Sequence, residues 1–401
     1  MRRVSAPSPF APGRLGDLAL RNRLIKTATF EGMSPGGVPS EALARHHRAI
    51  AAGGVGMTTV AYCAVSPAGR TFADQMWLRP EIVPALRRLT DSVHAEGAAA
   101  SLQLGHCGFF TRSRAPGSRG ARGPSFGLNV YGLAAGLPFA RAMGEGEIRE
   151  VIEDFGRAAS LAREAGFDAV ELHLGHGYLL SQFLSPATNR RRDAWGGGLE
   201  GRLRLPLAVL RRVREQLGPG FPILAKTNLR DGFRGGLEVA ESVEIGRALE
   251  REGADAIVPS GGFTSRNAFY MLRGGVPIQG MAEVEESRAM RLAIRLFGPL
   301  RIRAVPFEEL FFLPEARALR AAVRLPLVLL GGARSLDAVE RALGEGFDFV
   351  ALGRALIADP DLPARWARGE RARSRCTSCN ECVVEMDRGG VRCVLDGPRP
   401  A

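Results

Sequence analysis

The stretch EIREVIEDFGRAASLAREAGFDAVELHL, residues 147–174, decides the fold. Ile148, Val151, Ile152, Phe155, Ala159 and Ala162 recur at the i, i+3, i+4 spacing of one helical face, and the pattern stops at Gly166. DAVELHL then reads as a short apolar strand. The unit repeats along the chain. Further strands are expected at LIKTA (24–28), VGMTTV (55–60), AAASLQL (98–104), PILAKTN (222–228), DAIVPS (255–260), PLVLL (326–330) and DFVAL (348–352). Helical patterns separate them, among them SEALARHHRAIAAGG (40–54), EIVPALRRLTDSVHAEG (81–97), LEVAESVEIGRALEREG (237–253) and SLDAVERALGEG (335–346).

Eight β/α alternations with short, continuously apolar strands predict an α/β fold of the TIM (β/α)8 barrel type. A doubly wound open sheet is the alternative. Its G-x-G-x-x-G fingerprint occurs once, at Gly196, Gly198 and Gly201, but after the polar run NRRRDAW instead of a strand. A P-loop is absent. The barrel should occupy residues 10–370, with a Cys-rich tail over 371–401. Functional groups are then expected at the C-terminal strand ends and in three long connections, 105–144, 174–201 and 260–312.

Composition narrows the class. With 401 residues, 45% hydrophobic, and no apolar run long enough to span a bilayer, the chain is expected to be globular, cytoplasmic and not a membrane protein. The net charge is +12, yet the arginines are spread among acids and form no stripe, which argues against nucleic acid. Lys26 and Lys226 are the only lysines. Both fall in strand candidates, and Lys26 is expected to pair with Glu171.

Strand alternation puts Glu171 and His173 on one side of ELHLGHGY, with His176 and Tyr178 just above. Two imidazoles and a phenol at a barrel mouth suit hydrogen-bond donation to a developing oxyanion beside a proton donor. A structural polar network and an H-x-x-H metal site are the competing readings; no third ligand of metal type lies nearby.

HLGHGYLLSQFLSPATNRR (173–191), followed by WGGGLEGR (195–202), resembles the signature of the Old Yellow Enzyme family of flavin-dependent NAD(P)H oxidoreductases. FAPGRLGDLALRNR (10–23), AVSPAGR (64–70), LQLGHCG (102–108) and GRALIADP (353–360) resemble it in the same order. The resemblance implies FMN, with NADH or NADPH as hydride donor. It places the FMN phosphate at Gly331, Gly332, Gly353 and Arg354, the ring along Thr27, Ala28, Thr29 and Phe30 with Tyr62, and the pyrimidine at Gln103. Lys226 stands where many relatives have arginine and would be the cation beside the reduced ring. The implied reaction delivers hydride to the β-carbon of an electron-poor alkene, an enone or an enoyl or dienoyl thioester. His173 and His176 would hold its carbonyl, and Tyr178 would protonate the α-carbon. Gly201 departs from the asparagine common in relatives.

Cys376, Cys379, Cys382 and Cys393 crowd the tail, a spacing that suits a [4Fe-4S] cluster, with zinc or an unoccupied motif as alternatives. The pattern resembles the iron-sulfur branch of the family, which includes dienoyl-CoA reductases and trimethylamine dehydrogenase. Relatives of that branch continue into nucleotide-binding domains. Here about eight residues follow Cys393, so the expected electron source is NAD(P)H directly or a separate donor protein. A homo-oligomer stays open.

Other classes compete. Gly123-Pro-Ser125-Phe-Gly127 fits the hydrolase G-x-S-x-G, but a loop precedes it where a nucleophile elbow needs a strand. An amine dehydrogenase would want an aromatic bowl, and Trp77, Trp195 and Trp366 are not grouped with the site in sequence. A non-catalytic flavin or iron-sulfur electron carrier would need no proton donor. Arg112 and Arg114 are candidates for thioester phosphates.

Overall fold

The computed structural model describes residues 6–397. Eight parallel strands form one sheet: β1 (Leu24–Lys26), β2 (Met57–Ala64), β3 (Ala99–Gly105), β4 (Ala169–Leu174), β5 (Ile223–Asn228), β6 (Ala256–Ser260), β7 (Val328–Leu329) and β8 (Phe349–Leu352). Their order is β6-β5-β4-β3-β2-β1-β8-β7. A parallel bridge between Ile257 and Leu327 joins β6 to the start of β7 and completes the ring. The eight strands are the eight runs expected from sequence.

Outside the ring lie α1 (Glu41–Ala52), α2 (Val83–His94), α3 (Glu145–Glu164), α4 (Leu199–Leu217), α5 (Val239–Arg251), α6 (Leu313–Ala322), α7 (Leu336–Gly344) and the short α8 (Arg354–Ala358). Helix α1 begins where Ser40 Oγ accepts the Leu43 N–H, and α7 where Ser335 does the same for Ala338.

Two apolar layers result, because successive strand residues face opposite ways. Ile25, Met57, Ala169, Leu224, Val258 and Phe349 fill the interior. Leu24, Leu102, Val170, Leu172, Ala225 and Val350 pack under the helices. A hairpin, Gly13–Leu15 with Leu18–Leu20, adds Leu15 and Leu20 to the interior cluster.

The alternation corrects the expected lysine pair. Lys26 follows the inward Ile25 and points out toward α1, where it pairs with Glu31 and donates to Thr59 O at 3.0 Å. Glu171 and Lys226 both point inward on adjacent strands and meet at 2.8 Å. Lys26 and Glu171 therefore sit on opposite faces of the sheet.

The three long connections carry their own structure. The first holds the short strands Arg122–Gly123, Gly127–Leu128 and Phe139–Ala142; the second, a helix Leu179–Leu184; the third, helices Ile278–Val284 and Arg288–Arg301. The tail lies on the barrel: Val391 N–H donates to Glu31 O at 2.7 Å, and a Cβ at Gly32 would meet Met386 O. No helix among the described residues is long and apolar enough to cross a membrane.

Candidate active site

His173 ends the inward face of β4 and is buried. Its Nδ1 accepts from Gly175 N–H at 3.4 Å, which leaves the hydrogen on Nε2. His176 adopts a left-handed backbone, φ 59°, uncommon for a residue other than glycine. The strain is held from both sides. Its N–H donates to Asn228 Oδ1 at 3.0 Å, its carbonyl accepts Thr264 N–H at 2.9 Å, and its Nε2 lies 2.7 Å from Ser260 Oγ. Gly177 follows at φ 76°, where a Cβ would strike the Phe263 ring.

The rings of His173 and His176 stand 5.0 Å apart, and Tyr178 lies 4.6 Å from His173. Burial, then His176 and Lys226, hold His173 well below its ordinary pKa; burial and Lys226 take His176 to about 3. Both imidazoles are thus neutral near pH 7 and donate without carrying charge. Burial, with Tyr131 nearby, pushes Tyr178 up, so its phenol keeps its proton.

Thr27, Ala28, Thr29, Lys226, Gly332, Gly353 and Arg354 line one cavity together with His176. Phe30, Tyr62, Gln103 and Gly331 are not in its lining. The Phe30 ring stands edge-on to Phe72, Tyr62 Oη is held between Thr71 and Gln75, and Gln103 Nε2 donates to Glu171 Oε1 at 2.7 Å. Lys226 also donates to Thr27 Oγ1 at 3.0 Å.

The donor set suits a phosphate-bearing ring cofactor. Lys226, Arg334 and Arg354 supply positive charge, and the turn after β7 runs through Gly331 and Gly332 at φ 140° and 82°. Thr29 Oγ1 and Arg334 Nε are buried there without a partner, as groups awaiting a ligand would be. Sequence reasoning missed Ser260, Met271 and Arg334. Arg334 was visible only as GGAR, and nothing in the sequence tied Ser260 to His176. Trp77 was also missed; it packs on the Ala61, Tyr62 and Ala64 cluster that Tyr178 covers.

The tail departs from expectation. Among the described residues no three His, Cys, Asp or Glu side chains form a set that could hold a metal ion, so the expected metal-binding tail with an assembled [4Fe-4S] or zinc site is not seen. Cys376, Cys379, Cys382 and Cys393 do line one narrow cavity of about 20 Å³ beside Arg354. Arg354 donates to Arg273 O at 2.9 Å and to Asn380 Oδ1, and together with Cys376 it lines both this cavity and the larger one. Arg112 stacks over Tyr131 and Arg114 binds the carbonyls of Ala135 and Gly136, so both candidate thioester arginines are engaged. Another cavity, about 860 Å³, lies away from these groups and is walled partly by mutually paired charges such as Arg119 and Glu150.

Comparison with known proteins adds an independent line. The chain is 42% identical over 398 residues to 4,4'-dithiodibutanoate disulfide reductase of Rhodococcus erythropolis, covering 98% of this chain and 96% of that one. Histamine dehydrogenase from Rhizobium sp. 4-9 superposes with a TM-score of 0.78 at 25% identity, over 96% of this chain and 52% of that chain. A morphinone reductase in complex with tetrahydroNAD shares the fold, with a TM-score of 0.71 at 23% identity over 93% of this chain and 94% of that one. Residues 8–259 match the model of one enzyme family. The chain belongs to the NADH:flavin oxidoreductase / NADH oxidase family.

Proposed function

We propose that the protein is an NAD(P)H-dependent flavoenzyme that reduces the electron-poor C=C bond of a small molecule. The observation that carries this is the trio of neutral His173, neutral His176 and protonated Tyr178, packed ring to ring where His176 enters the cavity of Lys226 and the glycine turns. FMN, when bound, would relay hydride from NAD(P)H to the alkene β-carbon. Thr27 to Thr29 would line its ring, Lys226 would balance negative charge, and Gly332, Gly353, Arg334 and Arg354 would hold the phosphate. His173 Nε2–H and the hydrogen-bearing nitrogen of His176 would bind the substrate carbonyl oxygen, strengthening as that oxygen gains charge. Tyr178 Oη would give the α-carbon its proton, which balances the addition.

Replacement of Tyr178 by Phe tests the reading. Alkene reduction should fall about 100-fold or more, while reduction of bound flavin by NAD(P)H in stopped flow changes less than about twofold. Equal loss in both half-reactions refutes the role.

The Rhodococcus relative favours a second reading, reduction of a disulfide, in which hydride and a proton divide the S–S bond into two thiols. The ratio of kcat/KM for an enone and for 4,4'-dithiodibutanoate decides between them. We further propose that the four tail cysteines take up a [4Fe-4S] cluster, with zinc as the alternative. Their shared cavity beside a cationic Arg354 supports this; iron and sulfide analysis after anaerobic purification tests it. A cytoplasmic location, a separate electron-donor protein and a homo-oligomer belong to the same proposal.

A further inference from the structure

Arg190, in the connection after β4, and Arg266, in the connection after β6, line a cavity of about 460 Å³ that the proposed chemistry does not use. Its size is that of a small-molecule pocket. No acidic residue lines it; Ser125, Thr188 and Ser265 contribute hydroxyls. Many of this chain's surface arginines are matched to carboxylates, as Arg119 is to Glu150 and Arg371 to Glu340. These two are not: among the described residues neither has a carboxylate within salt-bridge reach.

The guanidinium carbon of Arg266 lies over Phe233, 4.5 Å from its ring centre, and 5.9 Å from that of Phe263. Arg190 is anchored by Nη2 to Phe126 O at 2.5 Å. The nearest acid to Arg266, Asp231, already accepts from Asn228 and Leu237. Arg190 and Arg266 repel one another. Two held cations on one cavity whose walls carry no acid are an arrangement that an anion relieves.

The cavity lies two rings, Phe109 and Phe263, from His176. Its wall residue Phe109 stacks on Phe263 at 6.3 Å, and Phe263 is bridged to His176. A molecule reacting at His176 could thus reach over this wall with a charged tail.

We infer that Arg190 and Arg266 form an anion subsite that holds the negatively charged tail, carboxylate or phosphate, of a molecule reacting at His173, His176 and Tyr178. The inference rests on the proposed function for what the tail belongs to. Its test uses the flavin-loaded full chain, wild type against R190Q and the double variant R190Q/R266Q, and a neutral enone, the same enone bearing a terminal carboxylate, NADPH, and reduced nicotinamide riboside, which carries no phosphate.

The double variant should lower kcat/KM for one charged-tail molecule relative to its truncated counterpart by about tenfold, as loss of charge-assisted hydrogen bonds would, with R190Q part of the way. Loss confined to the carboxylated enone assigns the tail to the substrate; loss for NADPH but not the riboside assigns it to the donor. Unchanged ratios for both pairs overturn the subsite. Calorimetric binding of ADP-ribose and of adipate decides the matter apart from turnover. If no alkene is reduced yet either anion binds wild type about tenfold more tightly than the double variant, the function fails and the subsite stands. If neither anion discriminates between the two proteins, the subsite fails whatever the turnover.

Discussion

Two buried ion pairs, built from the only two lysines, occupy opposite sides of one sheet. Lys226 and Glu171 lie inside the barrel, with Gln103 and Thr27 as further partners, and Lys226 reaches the cavity of His176. Lys26 and Glu31 lie outside, between the sheet and α1, where Glu31 also accepts from Ala61 N–H at 3.2 Å and faces His47 at 3.4 Å. The inner pair leaves a cation in a site that can take a charged ligand. The outer pair is closed by protein on every side and ties down the turn after β1, whose Thr27, Ala28 and Thr29 line that site. Identical chemistry thus faces the cavity on one side of the sheet and braces the fold on the other.

The comparison breaks most visibly at Glu31. Its replacement by Ala strands Lys26 without an anion, and unfolding in urea should show a loss of about 3–5 kcal/mol; a loss below 1 kcal/mol would mean that the outer pair does not organise the turn. Glu171→Gln should cost less, roughly 1–3 kcal/mol, because an amide keeps acceptor and donor functions next to Gln103 and Lys226. That variant should instead change the reaction side. With less negative charge beside Lys226, the potential of bound flavin should rise on the order of 30 mV, whereas Glu31→Gln should leave it within the error of a dye-linked titration.

The smallest effect is a pH dependence. Burial lowers His46 and His176 to about 3 and His106 to about 4. A group depressed in the fold binds its proton first in the unfolded chain, so these histidines favour folding fully above about pH 6.5, and that stability drains as pH falls toward 4. His46→Gln should flatten the fall by about 1 kcal/mol between pH 6.5 and 5.5. Over pH 8 to 5, alkene turnover should show no step from protonation of His176.

Legibility differed by kind of feature. All eight strands were readable because each is a short apolar run set off from a helical period of 3.6. His173, His176 and Tyr178 were readable because they share one strand end. Ser260 and Arg334 were not, since they join the site from β6 and from the turn after β7, and their contacts depend on how the ring closes. The cysteines were conspicuous as a spacing, yet whether four thiols converge on an ion depends on the path of the tail, which spacing does not encode.

By itself the sequence determined the barrel and the order of its units, because periodicity and turn signals are local. Only the tertiary structure decided which way each charged residue faces. Strands covered on both sides are apolar on both sides, so alternation tells which residues share a face and leaves open which face is the inside. Lys26 and Lys226 look alike in sequence for that reason, and only closure of the ring sent one to α1 and the other into the site.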